Sequence, residues 1–285
     1  MSIELVVTKQ NRDGGWPYVR GTSWTEPTVY AILALLAAGE LQAARRGMDW
    51  LRASQLPDGG WPPQSGFGES TWVTALVALL PFGQLGSAAH GRAIEWLLAT
   101  TGKESSATFR LRMWLLGQPS NPDSQFPGWP WIPDTAAWVG PTSLSILALD
   151  KEMRHRPSPA IRRRVEQGRG FLMRRMCECG GWNHGSVHAL GYESTPYPET
   201  TGMALAALRG VRSPETERAL GVAGRFLSEC RSADALNWLR IGLMAHGRMP
   251  DGYCPPPQLA RRTLPETSLD MLVARTQNGT DIFWG

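Results

Sequence analysis

Gln55-Leu56-Pro57-Asp58-Gly59-Gly60-Trp61 is a polar, glycine-rich turn ending on tryptophan, and Glu69-Ser70-Thr71-Trp72-Val73-Thr74-Ala75-Leu76 follows it as the start of an apolar helix. The pairing recurs along the chain. Gly14-Gly15-Trp16 precedes Glu26-Pro27-Thr28-Val29-Tyr30, Gly128-Trp129 precedes Gly140-Pro141-Thr142-Ser143, and Gly180-Gly181-Trp182 precedes Glu199-Thr200-Thr201-Gly202. Asp251-Gly252-Tyr253 precedes Glu266-Thr267-Ser268. Repetition on this scale means stacked supersecondary units rather than one irregular core. A longer period lies above it: Trp24-x-x-Pro27-Thr28 returns as Trp138-x-x-Pro141-Thr142. The chain is therefore expected to be one domain, 1–285, built from similar halves at about 1–120 and 121–250, with 251–285 beginning another unit.

The spacing predicts helices over 26–38, 43–55, 70–80, 87–100, 105–117, 141–153, 158–176, 200–210, 214–230, 233–246 and 266–276, with almost no strand signal. Two kinds alternate. One is rich in Ala and Leu around its whole circumference, which requires burial on several sides. The other carries an apolar stripe among charges, as in Ala43-Ala44-Arg45-Arg46-Gly47-Met48-Asp49-Trp50-Leu51. That alternation is the pattern of inner helices wrapped by outer ones. The linkers are rich in Gly, Pro and Trp, and Thr, Ser or Asp stand at the helix starts, where they can cap free N–H groups.

Composition bounds the function classes. The 285 residues are 42% hydrophobic, which excludes a disordered chain, and their glycines follow no collagen period. The longest apolar run, Val29 to Ala38, is too short to cross a bilayer. No signal peptide is legible at the start. Cys177, Cys179, Cys230 and Cys254 are thus expected to be reduced thiols in a cytoplasmic protein. The net charge is +4, and the Arg-rich stretch from Arg154 to Arg175 is either a solvated helix face or a peripheral contact for an anionic membrane surface. No nucleic-acid motif accompanies it.

Repeated Gly-Gly-Trp turns ahead of small-residue helices, with Gln55-Leu56-Pro57-Asp58-Gly59-Gly60-Trp61 as the cleanest copy, resemble the prenyltransferase and squalene-cyclase repeat family, known for its Q-W motif. The resemblance covers about 10–277 and looks like a single-domain member of bacterial type. It implies an all-α fold, a single α/α toroid with inner helices around a central cavity. Its activities fall into groups. Class II terpene cyclases protonate an alkene or epoxide with the middle Asp of an Asp-x-Asp-Asp motif. Protein prenyltransferase β subunits hold Zn with Asp, Cys and His. Complement-type thioester domains need a Gly-Cys-Gly-Glu-Gln segment, which is absent.

The cyclase motif is also absent. Its middle position, just ahead of an inner-helix Thr, is filled by Glu26 before Thr28, Glu69 before Thr71 and Glu199 before Thr201; Gly140 stands there before Thr142, with Asp134 the nearest upstream acid. Asp234, at the start of a later inner helix, is a further candidate. A carboxyl kept protonated in an apolar site can donate a proton. The plainer reading of each is a cap on a helix N-terminus. Glu199 and Glu26 are the preferred acids because aromatic residues flank them.

Trp24, Tyr30, Trp72, Trp114, Trp138, Tyr197 and Trp238 lie on or just before inner helices. They either pack the core or line a cavity, where aromatic faces would stabilise a carbocation. Trp16, Trp61, Trp129 and Trp182, in the turns, are expected to stack on helix ends. Arg112 and Arg240 occupy equivalent places on mainly apolar helices, and a buried Arg needs an anion. Either a helix-start Glu or the diphosphate of a substrate, with Mg, would serve.

Cys177, Cys179, His184 and His188 are residue types of a Zn site at loose spacing, so no metal is expected to be required. Asp251, Cys254 and His246 do not reproduce the prenyltransferase pattern. The expected function is a cyclase-like enzyme acting on an isoprenoid or similar apolar small molecule. The alternatives are a non-catalytic toroid that binds a lipid or a protein, and an isoprenoid diphosphate transferase.

Overall fold

A computed structural model describes residues 3–117, 125–185, 188–189, 192–256, 263–277 and 283–284. Two compact units emerge, one of Met1–Leu97 with Gln258–Gly285 and one of Leu98–Pro257. The first holds α1 (Ile3–Thr8), α2 (Thr25–Ala38), α3 (Leu41–Ser54), α4 (Val73–Ala78), most of α5 (Ser87–Ala99) and α12 (Leu264–Gln277). The second holds α6 (Ala107–Leu115), α7 (Val139–His155), α8 (Pro159–Arg174), α9 (Pro198–Ala207), α10 (Pro214–Glu229) and α11 (Ala233–Ala245). A two-residue antiparallel pairing of β1 (His188–Ala189) with β2 (Tyr192–Glu193) is the one strand ladder among the described residues.

In the first unit α2 is the hub. Every residue from Pro27 to Leu35 is buried, so no side of this stretch faces solvent, and α1, α3, α4 and α12 all pack on the helix. Outer helix α3 buries Ala43, Ala44, Gly47, Met48 and Leu51, the i, i+4 stripe read from sequence, and leaves Arg45 and Arg46 in solvent. In the second unit α7 and α9 take the inner role, against α8, α10 and α11. The α9–α11 contact is the closest kind of helix packing. A Cβ added at Gly202 would stand 2.3 Å from the Trp238 carbonyl carbon, and one at Gly242 would stand 2.6 Å from the Gly202 oxygen.

The turn tryptophans do more than stack. Trp16, Trp61, Trp129 and Trp182 are fully buried, and three of them reach back to the outer helix or segment before them: Trp16 Nε1 donates to Val6 O (2.7 Å), Trp61 Nε1 to Leu51 O (2.7 Å) and Trp182 Nε1 to Leu172 O (2.6 Å). Each is also tied forward. The backbone N–H of Trp16 donates to Thr28 Oγ1, Trp61 to Thr74, Trp129 to Thr142 and Trp182 to Thr201, at 2.9–3.1 Å. One Trp thus links a preceding helix end to the following inner helix, and no polar group on the turn N–H is stranded in the core.

The first two turns share a set of side-chain contacts. Gln10 Nε2 donates to Gly14 O and Ala43 O, and Gln55 Nε2 to Gly59 O and Ala89 O, all at 2.8–2.9 Å. Asp13 accepts from Gly15 N and Ser23 Oγ, as Asp58 does from Gly60 N and Ser70 Oγ. Gly14 (φ +97°) and Gly59 (φ +94°) lie where a Cβ would come within 2.7 Å of the Arg46 or Arg92 carbonyl, so both the left-handed backbone and the close approach require glycine.

Two expectations need correction. The segment read as an inner helix over 105–117 is α6, which buries none of its residues and whose main helical neighbour among the described residues is the short 3-10 turn Lys103–Ser105. Arg112 is consequently exposed rather than buried among apolar residues, and Trp114 is 73% exposed rather than lining a core. The helix expected over 70–80 is also shorter, α4 starting only at Val73.

Candidate functional site

The hydrogen bonds that build the repeat also fix equivalent positions around each turn. The residue after the extended loop donates its N–H back to the turn Trp: Trp24 to Trp16 O, Thr71 to Trp61 O, Trp138 to Trp129 O and Tyr197 to Trp182 O. Trp24, Trp138 and Tyr197 are therefore N-caps in extended conformation, with aromatic side chains left outside the helix. The next residue donates to the backbone two places past a Trp, as Thr25 N does to Pro63 O and Val139 N to His184 O. Leu264 N donates to Tyr18 O in the same way, which docks the start of α12 beside the first turn.

This register changes the candidate acids. Thr28 corresponds to Thr74, not to Thr71, because those two hydroxyls receive the buried Trp N–H groups. Two places before Thr74 stands Trp72, so Glu69 is not equivalent to Glu26, and it is exposed. Glu26 and Glu199 do share a position, two places before Thr28 and Thr201.

In the first unit this position forms a cluster. The Glu26 carboxyl is bonded to the Tyr18 hydroxyl, and the Tyr18 ring meets Trp24 edge-on at 5.6 Å between centroids. Burial pushes the Glu26 carboxyl above the usual range, and the Tyr18 bond offsets this only in part. Burial, then the Glu26 charge and the shared bond, push the Tyr18 phenol upward as well. The carboxyl is thus shifted toward its protonated form, with an aromatic wall at its side.

In the second unit the equivalent positions carry His184, Tyr197 and Glu199. His184 Nε2 lies 3.3 Å from Glu199 Oε1, and its ring lies 5.1 Å from that of Tyr197, tilted by 38°. Trp138 borders the same cluster, since a Cβ at Gly185 would stand 3.1 Å from its ring. His184 occupies the place two after Trp182, as Tyr18 does after Trp16. That spacing was visible in the sequence, where His184 stood only as a potential metal ligand.

Two other helix starts are capped by side chains. At α12, Thr263 Oγ1 accepts from Glu266 N, and Glu266 accepts from Thr263 N, a reciprocal capping box. At α11, Ser232 Oγ caps by accepting from Ala235 N, and the half-buried Asp234 lies in the first turn. Glu26 and Glu199 instead direct their carboxyls to Tyr18 and His184.

The other candidates are dispersed. Asp134 is exposed on a loop with φ +60°. Tyr30 and Trp238 are buried within α2 and α11, and Trp72 is half-buried. Arg240 is buried, donating to Asn237 Oδ1 at 3.1 Å. Cys177 is buried and Cys179 exposed, and the side chain of His188 lies outside the described residues. Among the described residues no three His, Cys, Asp or Glu side chains group as a metal site. None of the described helices is long and apolar enough to cross a membrane.

No family model matches the chain. It is 37% identical over 65 residues to an MMP endo-(1,4)-3-O-methyl-alpha-D-mannosidase of Mycolicibacterium hassiacum, across 22% of this chain and 18% of that protein. It is 48% identical over 44 residues to a squalene–hopene cyclase of Alicyclobacillus acidocaldarius, across 15% of this chain and 7% of that one. The matches thus span less than a fifth of either relative. Among solved structures, a GH8 endo-beta-1,4-glucanase from an Achatina fulica gut metagenomic library superposes over 98% of both chains with a TM-score of 0.60 and 16% identity. The fold is all-α, of the α/α-toroid class shared with such glucanases.

Proposed function

We propose that the chain is an enzyme of class II cyclase type, with Glu26 as the proton donor to an apolar, isoprenoid-like alkene. The observation that carries this reading is the Tyr18–Glu26–Trp24 cluster. Burial shifts Glu26 toward the protonated form that a proton donor requires. As the C=C π electrons take that proton, the carboxylate left behind is stabilised by the Tyr18 hydroxyl, and the carbocation formed on the alkene faces the electron-rich ring of Trp24. A second C=C of the same molecule then donates its π pair to that cation, closing a ring and moving the positive charge. The new cation either loses a neighbouring proton to water to give an alkene or adds water and loses its proton to give an alcohol. A glycosidase reading, suggested by the fold, would require a second carboxyl facing the first across a glycosidic bond. Among the described residues the Glu26 carboxyl is bonded to a phenol and not to a second carboxyl, which favours the cyclase reading.

The test is incubation of the full chain with geranylgeranyl diphosphate, farnesyl diphosphate and squalene, and separately with mannan and cello-oligosaccharides, followed by product analysis. New cyclic hydrocarbon or alcohol products are expected, and Glu26→Gln should reduce their rate by roughly 10²–10⁴-fold, the usual share of a general acid. Sugar release without isoprenoid products would replace the reading with the glycosidase one. No product from either panel would support a binding protein.

A further inference from the structure

The excursion that carries α6 has no role in the repeat. Its feet are pinned together, Gly102 N donating to Gly128 O (3.1 Å) and Lys103 N to Thr135 O (2.9 Å). Between them α6 is properly capped, Ser106 Oγ accepting from Phe109 N. Yet Leu111, Trp114 and Leu115, at i, i+3 and i+4, are 57%, 73% and 69% exposed and share one face. Phe109 and Met113 lie on the opposite, half-buried side. Arg110 and Arg112 fall at the two edges of the exposed face, both exposed. No acidic residue occurs between Ser105 and Gly117, and the nearest, Glu104, accepts from Ala137 N.

We infer that this face of α6 docks on an anionic lipid surface, with Leu111, Trp114 and Leu115 entering the headgroup–acyl boundary and Arg110 and Arg112 meeting lipid phosphates. An apolar strip with Trp and a basic residue on each flank is the arrangement of an interfacial helix, apolar side down and guanidinium groups at headgroup level. Charge selects the occupant. Two copies of α6 brought face to face would juxtapose four arginines, whereas an anionic bilayer complements both. The site differs from the Arg154–Arg175 stretch, where a membrane contact was expected from sequence, and does not depend on the reading of Glu26.

Flotation of the full chain with phosphatidylcholine vesicles, and with vesicles that also contain phosphatidylglycerol, tests this. Binding to the anionic vesicles and little to the neutral ones is expected. Arg110→Gln with Arg112→Gln should weaken it by roughly 25-fold, about fivefold for each charge. Trp114→Ser with Leu111→Ser should weaken it at least about tenfold, with an unchanged thermal midpoint because both side chains are already exposed. Absence of binding to anionic vesicles would overturn the inference. So would binding lost on Arg162→Gln with Arg163→Gln but retained in the α6 variants. A lowered thermal midpoint for the Trp114 variant would show that protein covers this face, and a dimer dissolved by it would show a second copy there; either result also overturns the proposal.

Discussion

Replacing Thr28 with Val isolates the bond on which the repeat turns. Thr28 is fully buried, and its Oγ1 accepts the Trp16 N–H at 2.9 Å while donating to Trp24 O at 2.7 Å. Valine preserves the shape but offers no acceptor, so the Trp16 N–H is left buried and unpaired. The lost donation costs less, because Trp24 O still accepts from Thr28 N at 3.2 Å. One orphaned donor is worth about 1–3 kcal/mol. Thr142→Val, in the other unit, removes the same bond to Trp129 and should cost about the same. Equilibrium urea unfolding, followed by circular dichroism and by tryptophan fluorescence, measures the loss. Thr8→Val, at an exposed position, is the control and should remain within about 0.5 kcal/mol of wild type. A Thr28→Val chain as stable as that control would refute the claim that the Trp–Thr bond fastens turn to helix.

Further outcomes follow from the same geometry. Gly47→Ala and Gly168→Ala would place a Cβ within 2.6 Å and 2.7 Å of the Trp16 and Trp129 rings, and each should destabilise by about 1–3 kcal/mol in urea unfolding. Arg164→Met should cost about 2–3 kcal/mol by the same measure, since the Arg164 guanidinium donates to Pro127 O, Thr100 O and Gly128 O and lies 3.3 Å over the Trp129 ring. Because the folded Glu26 carboxyl binds its proton more tightly than the unfolded one, stability should fall as pH rises from the ordinary carboxyl range through its raised value; Glu26→Gln should remove that fall in thermal unfolding across pH. Tyr18→Phe deletes the bond that lowers the Glu26 value, so the basic limb of any pH–rate profile should move upward.

The turn sequence carried the fold because its residues satisfy one another locally. Gln10-Asn11-Arg12-Asp13-Gly14-Gly15-Trp16 has the same spacing as Gln55 to Trp61, and the two make the same bonds. Two readings failed where the answer depended on distant atoms. Glu69-Ser70-Thr71 looks like Glu26-Pro27-Thr28, yet the hydroxyl that meets the turn N–H belongs to Thr74, because the second loop is one residue longer between its Trp and that hydroxyl, 13 positions against 12. Helical spacing of apolar residues in 105–117 looked like a buried stripe. Spacing specifies a face, whereas burial needs an element opposite it, and among the described residues no long helix packs closely on α6. The pairing of His184 with Glu199 was likewise hidden, since it becomes evident only when Trp182 and Trp16 are placed in register.

That register also explains how near-identical repeats acquire unequal chemistry. The contacts that hold the turns come from main-chain groups, the buried Trp, one Thr hydroxyl and, in the first two turns, Gln and Asp side chains, so the side chain two places after the Trp is not among them. It is Tyr18, Pro63, Trp131 and His184 in the four turns. Its partner two places before the Thr is Glu26, Trp72, Gly140 and Glu199. Tyr18 bonds the Glu26 carboxyl, His184 Nε2 lies 3.3 Å from Glu199 Oε1, and Trp131 beside Gly140 offers neither contact. At Gly140 the reason is steric: a Cβ would already stand 3.3 Å from the Trp131 ring, which crowds a carboxyl arm in that direction. A glutamate therefore stands at this position only in the two turns whose second residue presents a polar tip to it, Tyr18 and His184.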